Sequence, residues 1–370
     1  MHRMRNRKIL GALLALTAIL SLAGTNEPIY ATASAQTRPA TDSAPVQKKS
    51  TTQTTVKSSS QTPPVVTAPN ATTQSTTPKT ELVWADVLEQ SPNPKVVTDA
   101  DFLARIAATG LPWRVKDKSS GIEMLLVPPG KFVMGMSPGD TQAENYEKPA
   151  HEVTLTKPFY LGRTEVTQPQ WVKVAGNNPS RFRSGSDRDS IIEKLMNEGL
   201  TKSEAEAKAA KESTNLALFP VENVSWNDCQ KFCAKTKLRL PTEAEWEYAC
   251  RAGVRKPTYG DLDDIAWVNE NSSGTTHIVG KKIPNALGFY DMLGNVLEWC
   301  SDIFDIGYYK SCEDGVVDPK GASEGSVRVL RGGLCGDFTF SPFNCRSSMR
   351  IGYGPDTRSY SLGFRVARTP

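Results

Sequence analysis

The composition of the chain changes abruptly near residue 80, and this change confines any folded core to the part that follows. Residues 36–80 contain 13 Thr, 6 Ser, 6 Pro and 5 Gln, and they contain no aromatic residue. A segment of this kind cannot bury enough apolar surface to offset the conformational entropy lost on folding. We therefore predict a disordered tether over 36–80 and a globular region from residue 81 onward.

The first 35 residues have the pattern of an export signal. A basic stretch ending at Lys8 precedes an apolar run over 9–23, and Ala33-Ser34-Ala35 forms a small-residue cleavage site before Gln36. The apolar run is short for a transmembrane helix. We predict a signal peptide over 1–35 and a secreted, periplasmic or cell-surface protein, which contacts a membrane only if this segment stays uncleaved.

Charge and histidine content exclude two classes of function. The formal net charge of the 370 residues is +4, but residues 1–80 carry +7 and the remaining 290 residues carry −3. The body of the chain therefore lacks the basic character that nucleic-acid binding requires. His151 and His277 are far apart in sequence, which excludes a zinc site of the His-Glu-x-x-His type.

The beginning of the globular region, residues 81–117, is predicted as a helical lead-in. Thr98 is placed to cap a helix over 99–109, and Gly110 follows that helix as a stop signal. Residues 122–127 and 132–134 then read as two strands of a hairpin, because a Pro-Pro-Gly turn separates them.

Three further helices are predicted by capping boxes, in which a hydroxyl and an acidic or amide side chain satisfy unpaired backbone amides reciprocally. The pairs are Thr167 with Gln170, Ser225 with Asp228, and Thr242 with Glu245. Between the first two helices, residues 181–217 are charged and poor in apolar residues, and 190–198 and 203–212 read as two short helices. This pattern predicts an inserted helical hairpin on the surface.

Regular periodicity fades after residue 212, where Gly, Asn, Asp and Trp become frequent. A long ordered region of loops must satisfy its backbone through side chains, bound ions or cross-links. Seven cysteines in an exported chain suit that requirement.

The second half of the chain contains five distinctive motifs. In chain order they are Phe219-Pro220-Val221-Glu222-Asn223-Val224-Ser225-Trp226, Arg239-Leu240-Pro241-Thr242-Glu243-Ala244-Glu245-Trp246-Glu247-Tyr248-Ala249-Cys250-Arg251, Gly294-Asn295-Val296-Leu297-Glu298-Trp299, Arg328-Val329-Leu330-Arg331-Gly332-Gly333 and Gly363-Phe364-Arg365. Together they resemble the motifs of the formylglycine-generating enzyme, or sulfatase-modifying factor, family. The resemblance covers residues 118–370. It implies an α+β sulfatase-modifying-factor domain with a C-type-lectin-like fold, rich in loops and with little regular secondary structure.

The resemblance also bears on activity. The family's oxidases convert a sulfatase cysteine in a Cys-x-Pro-x-Arg segment to formylglycine, using oxygen and a copper ion bound by two cysteine thiolates, which are soft ligands. By this resemblance the two thiolate positions fall on Asp337 and Pro342, and neither residue can replace a thiolate. Leu334 and Leu297 occupy positions where the family has Ser and Trp. We therefore expect neither copper nor a catalytic residue of the oxidase kind.

Cysteine pairing is implied only in part. Cys335 and Cys345 flank the same loop, so a shifted copper pair is the alternative to a structural role. The family bridges the position of Cys250 to a cysteine whose counterpart here is Ser347, and nearby Cys345 is the predicted substitute in a Cys250–Cys345 disulfide. The pairing of the remaining cysteines stays open: Cys229, Cys233, Cys300, Cys312 and Cys335.

The resemblance further implies a structural calcium site. Asp291 and Glu298 would supply carboxylate oxygens, and Gly294 and Val296 would supply backbone carbonyls, with other oxygens completing the shell of six to eight that calcium needs. The alternative is a turn in which the two carboxylates only cap backbone amides.

Two functions follow as hypotheses. The first is an exported binding or structural module without oxidase activity, whose partner is a protein, a glycan or another surface ligand. The second is a copper-dependent oxidase that forms formylglycine, or a family enzyme with altered chemistry. Whether the chain is an enzyme is left open by the sequence, because a fold does not fix a function.

Overall fold

The computed structural model describes residues 82–182, 192–193, 195–208, 218–333 and 345–370. The predicted signal peptide, the predicted tether, Leu334, Cys335, Asp337 and Pro342 lie outside these residues. All described residues belong to one compact unit. None of the helices in the described part is long and apolar enough to span a membrane.

The lead-in contains strands as well as the predicted helix. Strand β1 (Ala85–Glu89), helix α1 (Ala100–Ala108) and strand β2 (Arg114–Asp117) follow in order. The predicted cap was wrong by one residue: Asp99, not Thr98, accepts hydrogen bonds from the amides of the first turn. Buried Phe102 and Ile106 attach α1 to the main core.

The largest sheet has five antiparallel strands in the order β1-β2-β3-β6-β12, where β3 is Glu123–Val127, β6 is Phe159–Gly162 and β12 is Ala367–Arg368. A second sheet contains β4 (Gly130–Met134), β5 (His151–Leu155) and β8 (Val316–Val317). The third has the order β10-β9-β7-β11, with β7 Leu297–Ile303, β9 Arg328–Arg331, β10 Arg350–Tyr353 and β11 Leu362–Gly363.

The predicted hairpin was wrong in its pairing. Strands β3 and β4 form where the sequence placed them, but β3 pairs with β2 and β6, whereas β4 pairs with β5. Pro128 and Pro129 lie between them and supply no N–H group for a ladder. The chain therefore leaves one sheet at the prolines and enters another.

All three capping boxes are present. They begin α2 (Gln168–Ala175), α3 (Trp226–Thr236) and α4 (Glu243–Arg251). Shorter helical turns are a 3₁₀ turn (Asn145–Glu147), α5 (Leu262–Ile265), α6 (Asn269–Ser272) and α7 (Tyr308–Ser311). Because long stretches between these elements are irregular, the α+β, loop-rich fold class is confirmed.

The insertion is helical where it is described. Residues 195–197 and 202–208 are helical, and Gly199 in a left-handed conformation separates them. Thr201 forms reciprocal hydrogen bonds with Glu204, so the second helix begins just before the predicted Ser203.

Candidate metal centre and the loop anchor

The turn that precedes β7 has a backbone that few residues can adopt. Asp291, Gly294 and Asn295 have φ values of 52°, 81° and 59°. A Cβ atom on Gly294 would lie 2.3 Å from the carbonyl oxygen of Trp267, so this position admits only glycine. The turn therefore fixes Asp291 at its start and Glu298 just beyond its end.

Glu298 is fully buried and is held by a charge partner. Arg365 donates from Nε to Oε2 at 2.6 Å and from Nη2 to Oε1 at 2.7 Å, and Trp246 Nε1 donates to Oε2 at 2.8 Å. Arg365 is itself completely buried. A two-point pair of this kind compensates both buried charges. Glu298 thus joins β7, α4 and the Gly-Phe-Arg motif.

Asp291 and Glu165 have the opposite character, because oxygens of both carboxylates are buried without a donor. The amide of Gly280 donates to Asp291 Oδ2 at 2.6 Å, whereas Asp291 Oδ1 and both oxygens of Glu165 have no hydrogen-bond partner in the described part of the protein. Burial raises the pKa of Asp291 to about 6. Burial, followed by the charges of Asp291 and Glu298, raises the pKa of Glu165 well above its usual value.

The three unpartnered, buried carboxylate oxygens are the hard type of ligand that calcium takes. Leaving them bare is costly, so either protons or a cation must neutralise them, and calcium takes oxygen ligands of this type. Among the described residues, no three acidic, histidine or cysteine side chains converge on one metal position. The fit therefore requires Asp291 and Glu165 together with backbone carbonyls, for which Gly294 and Val296 remain the predicted donors. Glu298 would act mainly as the partner of Arg365.

Glu165 was missed by the sequence reasoning. It directly precedes Val166 and the Thr167 cap of α2, in a stretch read only as a helix start. Its surroundings depend on long-range contacts such as the bridge of Thr167 with Pro220, so no local sequence pattern marked it.

The predicted Cys250–Cys345 disulfide was wrong: no bridge joins these residues in the structure. Cys250 Sγ instead lies 3.6 Å from Ser347 Oγ, the residue at the family's bridging position. Cys345 packs against Gly333, where an added Cβ would lie 2.4 Å from Cys345 Sγ. Cys345 lies two residues before the family's bridging position, and its side chain therefore contacts Gly333 instead of Cys250.

The described cysteines are buried. Desolvation raises the pKa of Cys233 and of Cys250 to about 12, and it raises the pKa of Cys229 and Cys300 well above the usual value. These four thiols are therefore protonated at neutral pH, and thiolate is the form that binds metal.

Arg331 anchors the chain on both sides of residues 334–344. Its guanidinium donates to Glu247, to the carbonyl of Ser347 at 2.6 Å and to the carbonyl of Ser348 at 2.9 Å. The side chain is completely buried. Since Arg331 precedes the segment and both serines follow it, one residue holds the two flanks together.

A second set of ion pairs extends this anchor. Glu243 on α4 accepts from Arg350 at 2.6 and 2.7 Å, and Arg346 makes a two-point pair with Glu147 at 2.7 Å for both contacts. Ser348 Oγ also donates to Glu147. Arg346, Ser348 and Arg350 are thereby joined to α4 and to the 3₁₀ turn.

These features define a class of protein: a loop-rich α+β domain in which buried Arg–Glu pairs join α4 to the residues on both sides of 334–344. The match to the sulfatase-modifying factor enzyme 1-like domain covers residues 111–370. The chain belongs to this family.

Relatives of different kinds are similar to this chain. The formylglycine-generating enzyme of Streptomyces coelicolor is 34% identical over 279 residues, covering 65% of this chain and 87% of the enzyme. The inactive C-alpha-formylglycine-generating enzyme 2 of Bos taurus is 26% identical over 300 residues, covering 69% of this chain and 91% of that protein. The structure of PvdO from Pseudomonas aeruginosa is 27% identical with a TM-score of 0.54, covering 70% of this chain and 98% of PvdO.

Proposed function

We propose that this protein is an exported binding or structural module of the family that does not generate formylglycine. Its partner would be a protein, a glycan or another surface ligand. The observation that carries the proposal is the replacement of the two copper-binding cysteines by Asp337 and Pro342. A carboxylate is a hard ligand and proline has no donor side chain, so the pair cannot bind Cu(I) as two thiolates do.

The described part of the site supports the same conclusion. Leu297, at the family's Trp position, is buried and pairs with Leu362 of β11, so it contributes packing only. Cys250 is buried with a raised pKa and contacts Ser347, which leaves it unsuited as a substitute ligand. The side chains of Trp246, Arg331 and Glu298 make contacts that hold the scaffold together.

The family also includes a relative whose name marks it as inactive. Loss of the oxidase reaction is therefore compatible with retention of the domain. We further propose that calcium, held by Asp291 and Glu165 with the carbonyls of Gly294 and Val296, stabilises the turn before β7. Copper is not part of the proposal.

The decisive experiment incubates the purified protein with Cu(I), oxygen and a peptide containing Cys-x-Pro-x-Arg, followed by mass spectrometry. We expect the cysteine to remain unmodified, while the Streptomyces coelicolor enzyme converts it to an aldehyde in the same buffer. Aldehyde formed by this protein would favour the oxidase hypothesis instead. An Asp337→Cys/Pro342→Cys variant tests whether the missing thiolates alone account for the difference.

A further inference from the structure

A cavity of about 680 Å³ lies where the β5–β6 connection, the start of α4 and the chain after β8 meet. Its floor is apolar, because Leu155, Phe159 and Leu240 line it and are only 4%, 2% and 1% exposed. This volume is in the range of sites for small organic ligands. None of the predicted calcium ligands lines the cavity.

One wall of the cavity is a neutral, fixed ion pair. Arg239 donates to Glu245 through both terminal nitrogens, at 2.6 and 2.7 Å, and Glu245 also accepts from the amide of Thr242 at 2.9 Å. The pair is therefore part of the helix cap. Its charges compensate each other and leave none for a ligand.

A second contact joins the two chain segments that supply lysines to the cavity. Asp318 accepts from the amide of Thr156 at 2.8 Å and from the Thr156 hydroxyl. This joins the segment after β5 to the segment after β8. Lys157 directly follows Thr156 and Lys320 follows Asp318 by two residues, and both lysines line the cavity.

Lys157 and Lys320 are exposed, and neither forms an ion pair within the described part of the chain. The nearby carboxylate of Asp318 accepts hydrogen bonds from the amide and the hydroxyl of Thr156. The charged residues of the lining are Lys157, Arg239, Lys320, Glu245 and Asp318, so the cavity carries a net charge of +1, and an anion is attracted to its lysines. The lysines therefore supply the charged half of a site whose other half is the apolar floor.

We infer that this cavity binds a small amphipathic carboxylate. The carboxylate would be held by Lys157 and Lys320, and the apolar body would lie on Leu155, Phe159 and Leu240. The inference extends the proposed binding function by naming a ligand class. It rests on the described lining of the cavity and does not depend on the missing oxidase activity.

The test uses isothermal titration calorimetry of the full-length mature protein with sodium octanoate, with 1-octanol as a neutral analogue and sodium sulfate as an anion without an apolar body. The Lys157→Gln/Lys320→Gln variant is compared with Lys95→Gln/Lys281→Gln, a matched pair of exposed lysines that do not line the cavity. Thermal melting checks that both variants fold.

We expect octanoate to bind the native protein and the control variant equally, and to bind Lys157→Gln/Lys320→Gln about tenfold more weakly. Octanol should bind more weakly than octanoate, and the octanoate affinity should fall as salt is raised. Equal binding of octanol, or an unaffected double variant, would overturn the carboxylate assignment. Sulfate binding as tightly as octanoate would mean an adventitious ion only, and no heat with octanoate would remove the site altogether.

Discussion

At the scale of single residues, the burial of Asp302 makes the stability of the fold depend on pH. It is 3% exposed and accepts from the amide of Glu243 at 3.0 Å and from the hydroxyl of Ser301 at 2.8 Å. Desolvation, followed by the charge of Glu243, raises the pKa of Asp302 to about 7. An acid whose pKa is raised on folding binds protons more strongly in the folded state, so stability is lost as pH rises from the unfolded value, near 4, through about 7.

We therefore predict that Asp302→Asn flattens the pH dependence of unfolding. The amide oxygen can accept the same two hydrogen bonds, and the variant cannot ionise. Relative to the native protein, it should gain on the order of 1–3 kcal/mol at pH 8 and little at pH 4. Urea unfolding at both pH values measures this difference, and a pH-independent gain would contradict the charge explanation.

Glu165 and Asp291 form the second residue-scale prediction, on calcium. In the presence of a chelator their buried, unpartnered oxygens destabilise the fold, and calcium should raise the melting temperature by neutralising them. Glu165→Gln should remove most of that rise, and so should Asp291→Asn. Calcium titration with thermal melting is the measurement, and Asp314→Asn, an exposed acid elsewhere, is the control. If calcium has no effect on the native protein, only the capped turn remains.

At the scale of elements, the lost family disulfide can be restored. The Sγ atom of Cys250, on α4, lies 3.6 Å from the Oγ atom of Ser347, which precedes β10. We predict that Ser347→Cys forms a bridge to Cys250 under oxidising conditions, and closing a loop of about a hundred residues should stabilise by roughly 4 kcal/mol on the chain-entropy model. Non-reducing mass spectrometry and melting with and without a reductant test this. The Cys250→Ala/Ser347→Cys variant should show no gain.

The elements also show what the sequence can reveal. Capping boxes were predicted correctly at Thr167, Ser225 and Thr242, because each depends on side chains three residues apart. The pairing of β3 and β4 was not, since partner choice depends on distant strands such as β6. Strands β1 and β2 were missed because they pair with each other across an intervening helix.

The candidate site likewise combines features that are local in the sequence with features that depend on long-range contacts. Asp291 and Glu298 were predicted as calcium ligands from the family resemblance, but Arg365, which lies 67 residues from Glu298, pairs with the Glu298 carboxylate. Glu165 enters the proposed site because the fold lets its charge interact with that of Asp291. The disulfide prediction was wrong because Cys345 lies two residues before the family's bridging position, and its side chain packs against Gly333.

At the scale of the whole molecule, the buried contacts of Arg331 join α4 to the residues on both sides of 334–344. Removing one partner leaves a buried charge uncompensated, which costs about 3–5 kcal/mol. We predict that Glu247→Gln destabilises the entire domain by this amount, because Glu247 accepts from both Arg331 and Arg251. The exposed pair of Lys131 with Glu152 is the control, and Glu152→Gln should cost less than about 1 kcal/mol. Chemical denaturation that gives equal losses would contradict the importance of burial.

The N-terminal segment determines where the whole chain is found, and we predict that the protein is exported. The basic start, the apolar run over 9–23 and the Ala33-Ser34-Ala35 site predict removal of residues 1–35. N-terminal sequencing of the protein recovered from outside the cytoplasm should therefore begin near Gln36. Leu13→Arg/Leu14→Arg interrupts the apolar run and should leave the uncleaved chain inside the cell, whereas Thr51→Arg/Thr52→Arg in the tether should not. A native protein that accumulates in the cytoplasm with Met1 intact would contradict export, and a protein that is exported with Met1 intact would identify the apolar run as an anchor.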